Sequence, residues 1–157
     1  MYSQYINNMS GVSGETIIKA QPSACQISKV HQQVIRGWNG RDYVYMSIKE
    51  VSKLVNDYSI YKITLKDGRT LVCSEYQKFL IDPKPVSITL KELINLKNKN
   101  KISSLHIYTN KANDSDTFDY HDIVKLELIT TNIKLYHVEC FNSFHYCMFN
   151  NILVDCS

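Results

Sequence analysis

The sequence predicts an all-β domain of short strands with one or two short helices. The first sign is residues 61–81, YKITLKDGRTLVCSEYQKFLI, where Ile63 and Leu65 alternate with Thr64 and Lys66 and Asp67-Gly68 then signals a turn. Tyr, Ile, Val and Thr are frequent throughout, as strands favour. The third sign is that helical periodicity is scarce. The chain has 157 residues, enough for one domain with a sizeable core.

Taken in order, residues 10–18, SGVSGETII, lead into a strand, and residues 41–48, RDYVYMSI, read as extended after the Asn39-Gly40 turn signal. Residues 46–57 suggest a helix, with Ser47 and Glu50 at capping-box spacing and Val51, Leu54 and Val55 on one side. The hairpin of 61–81 follows. Residues 87–99, SITLKELINLKNK, predict a second helix after Pro85-Val86, with Leu90, Ile94 and Leu96 apolar. Residues 100–121 form a polar excursion around one short apolar piece, and NKANDSD within it reads as a loop. Residues 122–141 hold two alternating runs around Thr130-Thr131-Asn132. The last residues, FNNILVDCS, put an apolar strand against a carboxylate, a thiol and a hydroxyl.

Apolar content is 44%, charged content 21% and net charge +3, which gives no argument for nucleic acid. The basic cluster LKNKNK at 96–101 reads as a solvated loop or helix end. The first residues, MYSQYINNMS, carry no basic and apolar leader pattern, and no apolar run approaches the ~20 residues a bilayer requires. Five cysteines at wide spacings, without a Cys-x-x-Cys pair, support neither a zinc site nor a disulfide framework. Reduced thiols in a cytoplasmic compartment fit better.

Three segments in chain order resemble the blocks of inteins and the wider Hint family. The first is Gly14-Glu15-Thr16, where the family has a nucleophile, two residues, then Gly-Asp-Thr. The second is Ser74-Glu75-Tyr76-Gln77-Lys78-Phe79-Leu80, against Thr-x-x-His and Lys/Pro-Phe-Leu. The last is Asn150-Asn151-Ile152-Leu153-Val154, against Asn-Gly-Ile-Leu-Val-His-Asn before a Cys, Ser or Thr. Trp38-Asn39-Gly40-Arg41-Asp42-Tyr43, ahead of the hairpin, is most similar to inteins of viral and phage ribonucleotide reductases.

The resemblance implies a flattened horseshoe of strands with both termini central, and autocatalytic protein splicing without metal or cofactor. It implies that 1–10 and 156–157 are extein remnants and that 11–155 is a mini-intein. Residues 100–121 would then be a loop where other inteins carry an endonuclease. The partners would be the chain's own flanking segments in cis, with no nucleic acid or membrane, in a monomer.

Splicing needs a first nucleophile, an acid beside the upstream amide, a downstream acyl acceptor and a cyclising last residue. Counting back from Gly14 puts Gly11 first, and glycine has no nucleophile. Either Ser10 serves one residue earlier, or Gly11 replaces a cysteine, or Cys156 attacks the Ser10–Gly11 amide directly. Ser10 is otherwise a solvated loop serine. In the second block Ser74 stands for Thr and Gln77 for His. Gln77 can hold a carbonyl but cannot transfer a proton near neutral pH. Cys73 reads as a small core residue, as does Cys140. His145 matches the histidine that assists cyclisation.

The end allows two registers. Without a gap, Cys156 falls where the terminal Asn should be, and cyclisation is dead. With a one-residue gap, Asp155 is the last intein residue and Cys156 the acyl acceptor. The second register is preferred because it leaves both a nucleophile and a leaving step.

Overall fold

Strand pairing, with one short helix, accounts for nearly all the regular structure in the computed structural model. It describes residues 10–21, 23–30, 34–38, 43–54, 58–82, 86–98, 106–110, 118–140 and 146–155. The first strands are β1 (Val12–Ser13), β2 (Ile17–Ile18), β3 (Ala20–Gln21), β4 (Cys25–Gln26), β5 (Val34–Trp38) and β6 (Tyr43–Leu54). The middle of the chain supplies β7 (Ile60–Leu65), β8 (Thr70–Ser74), β9 (Lys78–Asp82), β10 (Val86–Thr89) and the helix α1 (Leu90–Asn98). The remainder gives β11 (His106–Asn110), β12 (Phe118–His121), β13 (Ile123–Ile129), β14 (Leu135–Cys140), β15 (Tyr146–Phe149) and β16 (Ile152–Asp155).

The hairpin of β7 and β8 forms as the alternation predicts, with Ile63 opposite Leu71 and Thr64 opposite Thr70. Asp67-Gly68 on its own would suit a two-residue loop, but the loop has three residues, Lys66-Asp67-Gly68. Gly68 N–H donates to Leu65 O at 2.9 Å and Leu65 N–H to Arg69 O at 2.8 Å, and Gly68 takes φ +96°. This is a type I turn closed by a glycine bulge, so Asp67 keeps a negative φ and uses its carboxylate to accept from Arg69 N–H at 3.1 Å.

The helix expected over 46–57 is a strand as far as Leu54. β6 pairs along its first part with β5 (Val34↔Ser47, Trp38↔Tyr43) and along its second with β14 (Val51↔Val138, Leu54↔Leu135). Two pairing partners outweigh a four-residue capping pattern in a segment rich in Tyr, Val and Ile. The second helix does form, three residues late. Val86–Thr89 first pairs with β9, and Thr89 then caps α1: Glu92 N–H donates to Thr89 Oγ1 at 3.1 Å, and that hydroxyl donates to Glu92 Oε1 at 3.0 Å. The excursion at 100–121 is not all loop, since β11 and β12 pair antiparallel from Ile107↔His121 to Asn110↔Phe118. The NKANDSD segment lies between them, outside the described residues after Asn110.

β16 lies inside the sheet, not at its margin. It pairs with β15 through four residues, with β9 at Val154↔Phe79 and Asp155↔Lys78, and with β11 at Thr109↔Ile152. Ile152, Leu153 and Val154 are fully buried, and burial of each such side chain contributes about 1.5–3 kcal/mol. The Asn150-Asn151 turn that launches β16 has φ values of 51° and 61°, a left-handed pair that asparagine tolerates. Asn150 also ties that turn to the chain's beginning. Its Oδ1 accepts from Ile17 N–H at 2.8 Å, and its Nδ2 donates to Thr70 O at 2.8 Å.

At Gly14 a Cβ would meet Tyr136 Cε1 at 2.8 Å and Ser28 Cβ at 3.0 Å. Gly14→Ala therefore forces β1 away from β14 and should cost about 1–3 kcal/mol. A urea midpoint unchanged from the parent chain would contradict that reading of the close approach.

Candidate functional site

The segment from Thr70 to Asp82 touches both ends of the fold. β8 pairs with the first strand at Val12↔Cys73, and β9 pairs with the last at Asp155↔Lys78. Between β8 and β9 lies only the turn Glu75-Tyr76-Gln77. Gln77 N–H donates to Ser74 O at 3.1 Å, and Ser74 Oγ accepts from Tyr76 N–H at 3.3 Å, which fixes the turn.

Both ends dock on this turn. Ser74 N–H donates to Gly11 O at 3.0 Å. Gln77 Nε2 donates to Asp155 O at 3.4 Å, and also to Lys78 O at 3.2 Å. Asp155 O is the carbonyl oxygen of the Asp155–Cys156 peptide bond. Ser10, Gly11, Ser74, Gln77 and Asp155 are all buried, which is uncommon for the serines, the glutamine and the aspartate. His145 and Cys156 lie outside the described residues.

The turn is clamped from behind by α1 and the start of β7. Leu90 N–H donates to Gln77 O at 2.9 Å and Lys91 N–H to Glu75 O at 2.8 Å, so the first turn of the helix satisfies two loop carbonyls. Glu75 N–H donates to Ser59 O at 2.9 Å, and Ser59 N–H returns a 2.6 Å bond to the Glu75 carboxylate. Lys91 Nζ sits 5.4 Å above the Tyr76 ring and 3.7 Å from Glu75 Oε1. Tyr76 and then Glu75 raise the pKa of this exposed ammonium.

Two residues join the site that sequence reasoning missed. Ser87 Oγ donates to Asp155 Oδ2 at 2.5 Å, orienting the carboxyl of the last strand. His137 Nδ1 lies 3.2 Å from Ser10 O and 3.2 Å from Ser10 Oγ. His137 follows Tyr136, which pairs with Val12, so β14 carries the imidazole to the upstream amide. A signal was present in the alternating run at 122–141, yet a single histidine on a strand has no spacing that marks it. Cys73, fully buried, has its thiol pushed far up by burial and is a neutral packing group.

No protein-family model matches this chain, and no curated protein matches it. Solved structures do. A DnaB intein from Synechocystis sp. PCC 6803 aligns with a TM-score of 0.72 at 19% identity, over 94% of this chain and 99% of that one. The TvoVMA intein aligns with a TM-score of 0.73 at 13% identity, over 92% of this chain and 96% of that one. The gp41-1 intein aligns with a TM-score of 0.67 at 19% identity, over 93% and 98%. The chain has the Hint fold of these inteins, from near its first strand to its last.

Removing the helix cap loosens the clamp behind the turn. Thr89→Ala should lower stability by about 1 kcal/mol and speed amide exchange at Leu90 and Lys91. Unchanged exchange there would contradict the clamp.

Proposed function

We propose that the chain splices itself, excising residues 11–155 and joining the segments that flank them. One observation carries this reading: the carbonyls of Gly11 and Asp155 are held three residues apart on one turn, by its buried ends Ser74 N–H and Gln77 Nε2. Splicing requires two distant peptide bonds to share one site, with reacting atoms brought within ~3–3.5 Å. A binding module has no need to bury its two ends together.

The roles follow from the chemistry each residue can perform. Gly11 offers no nucleophile, so Cys156 Sγ attacks the Ser10 carbonyl carbon. The Ser10–Gly11 C–N bond breaks, the Gly11 nitrogen takes a proton, and a thioester joins Ser10 to Cys156. Ser74 holds the Gly11 carbonyl and with it the upstream backbone. Asp155 then cyclises: its carboxylate oxygen attacks its own main-chain carbonyl carbon, forming an anhydride as the bond to the Cys156 nitrogen breaks. Ser87 orients that carboxyl, Gln77 polarises the carbonyl under attack, and His145 gives the departing nitrogen its proton. The freed amine then attacks the thioester and leaves an ordinary amide between the flanks. The partners are the flanking segments in cis. A monomer with no cofactor, in a reducing cytoplasm, suffices for this chemistry. The relation to inteins of viral ribonucleotide reductases rests on Trp38-Asn39-Gly40-Arg41-Asp42-Tyr43.

A second reading is favoured by Gly11 itself. On this reading Cys156 makes no direct attack and the chain stays an intact precursor, with Ser10 a buried neighbour instead of a nucleophile one residue earlier. Intact mass after incubation with and without dithiothreitol separates the two. Loss of residues 1–10 supports the splicing reading. An unchanged mass that Gly11→Cys converts to cleavage supports the blocked precursor. Silence in both chains contradicts splicing chemistry at this site.

Gln77→Leu removes the donor to Asp155 O and should slow release at Asp155–Cys156 by about 10², while upstream cleavage is retained. Equal losses at both bonds, read by mass, would contradict the assignment of Gln77 to the downstream carbonyl.

A further inference from the structure

We infer that His137 is the electrophilic catalytic residue for the upstream amide, donating from Nδ1 to the Ser10 carbonyl oxygen. This rests on the splicing reading above. The donor is needed because Gln77, at the position where the resemblance implies a histidine, directs its side-chain amide to Asp155 O and Lys78 O. The upstream carbonyl must then find its polarising group elsewhere.

The geometry assigns the proton. Nδ1 is 3.2 Å from a carbonyl oxygen and 3.2 Å from a hydroxyl oxygen of the same residue. A carbonyl oxygen can only accept, so the nitrogen between them carries hydrogen, and the Ser10 hydroxyl shares the bond as a second acceptor. Ser10 is 2% exposed, so little water competes for the carbonyl. A nucleophile attacking the Ser10 carbonyl carbon pushes negative charge onto that oxygen, and a fixed N–H in a dry site stabilises the charge without reorganising. The imidazole keeps its proton through the step. The proton of the attacking thiol goes to the Gly11 nitrogen, as the balanced reaction above requires. β14 holds the ring in place through its pairing with β1 at Val12↔Tyr136 and with β6 at His137↔Ser52.

The test uses the full chain with two readouts. In the unmodified protein, nitrogen-15 correlations of the imidazole should give a protonated, pyrrole-type Nδ1 for His137. In the Gly11→Cys chain, thiol-induced loss of residues 1–10 should fall by about 10²–10³ in His137→Leu. His137→Asn, whose side-chain amide nitrogen can occupy the Nδ1 position, should stay within about tenfold of its parent. Matching amide spectra for the Leu and Asn variants exclude unfolding as the cause. An Nδ1 without hydrogen, a rate unmoved in His137→Leu, or equal losses in Leu and Asn overturns this inference alone. Where only the unmodified chain cleaves, the His137 variants are read in it; silence in both the unmodified and the Gly11→Cys chains overturns the splicing reading, and the inference falls with it.

Discussion

The hydrogen bond from Ser74 N–H to Gly11 O, at 3.0 Å, is the constraint on which the rest of the arrangement depends. It fixes the first strand against β8, one turn away from the point where β9 receives the last strand. A buried backbone donor left without that partner would cost roughly 1–3 kcal/mol. The start of the domain is therefore held where its end also arrives. The turn between them cannot drift, because the helix N-terminus and the Ser59 backbone occupy its remaining polar groups. The apolar run before Asp155 fits a strand covered on both faces: Ile152 and Val154 pack into the main core, and Leu153, on the opposite face, packs with Leu80 and Met148.

The surroundings of the Ser10 and Asp155 carbonyls differ through short-range geometry. Gln77 can donate and accept but cannot move a proton at neutral pH, and its side chain reaches the Asp155 carbonyl. His137 comes from the opposite side, on β14, and meets the Ser10 carbonyl. The Ser10 and Asp155 carbonyls thus each meet a different side chain, one from β14 and one from the turn between β8 and β9.

Much of the fold was legible in the sequence because it is local. The alternation at 61–65 and Asp67-Gly68 specify the hairpin, and the apolar spacing at 90–96 specifies the helix. The segments resembling inteins give the order of the whole. The misreadings have a common physical cause. Residues 46–54 carry a weak helical pattern, and only pairing with β5 and β14, distant in sequence, makes them a strand. β11 is held by β9, β16 and β12, and polar composition does not report such neighbours. His137 escaped notice for the same reason: its meaning lies in a residue 127 positions away. By contrast, Ser10, Gly11, Ser74, Gln77 and Asp155 could be picked out because each sits beside a recognisable block.

The most direct measurement places a distinct folded reporter before residue 1 and another after residue 157, in the chain as it stands and with Gly11→Cys. The products are then weighed and sequenced. The account predicts a single polypeptide in which both reporters are joined, together with a released fragment beginning at residue 11 and ending at Asp155. If both chains retain all three parts in one uncleaved polypeptide, under thiol and after prolonged incubation, the convergence of the two ends on the Ser74–Gln77 turn serves no splicing chemistry, and the central claim is contradicted.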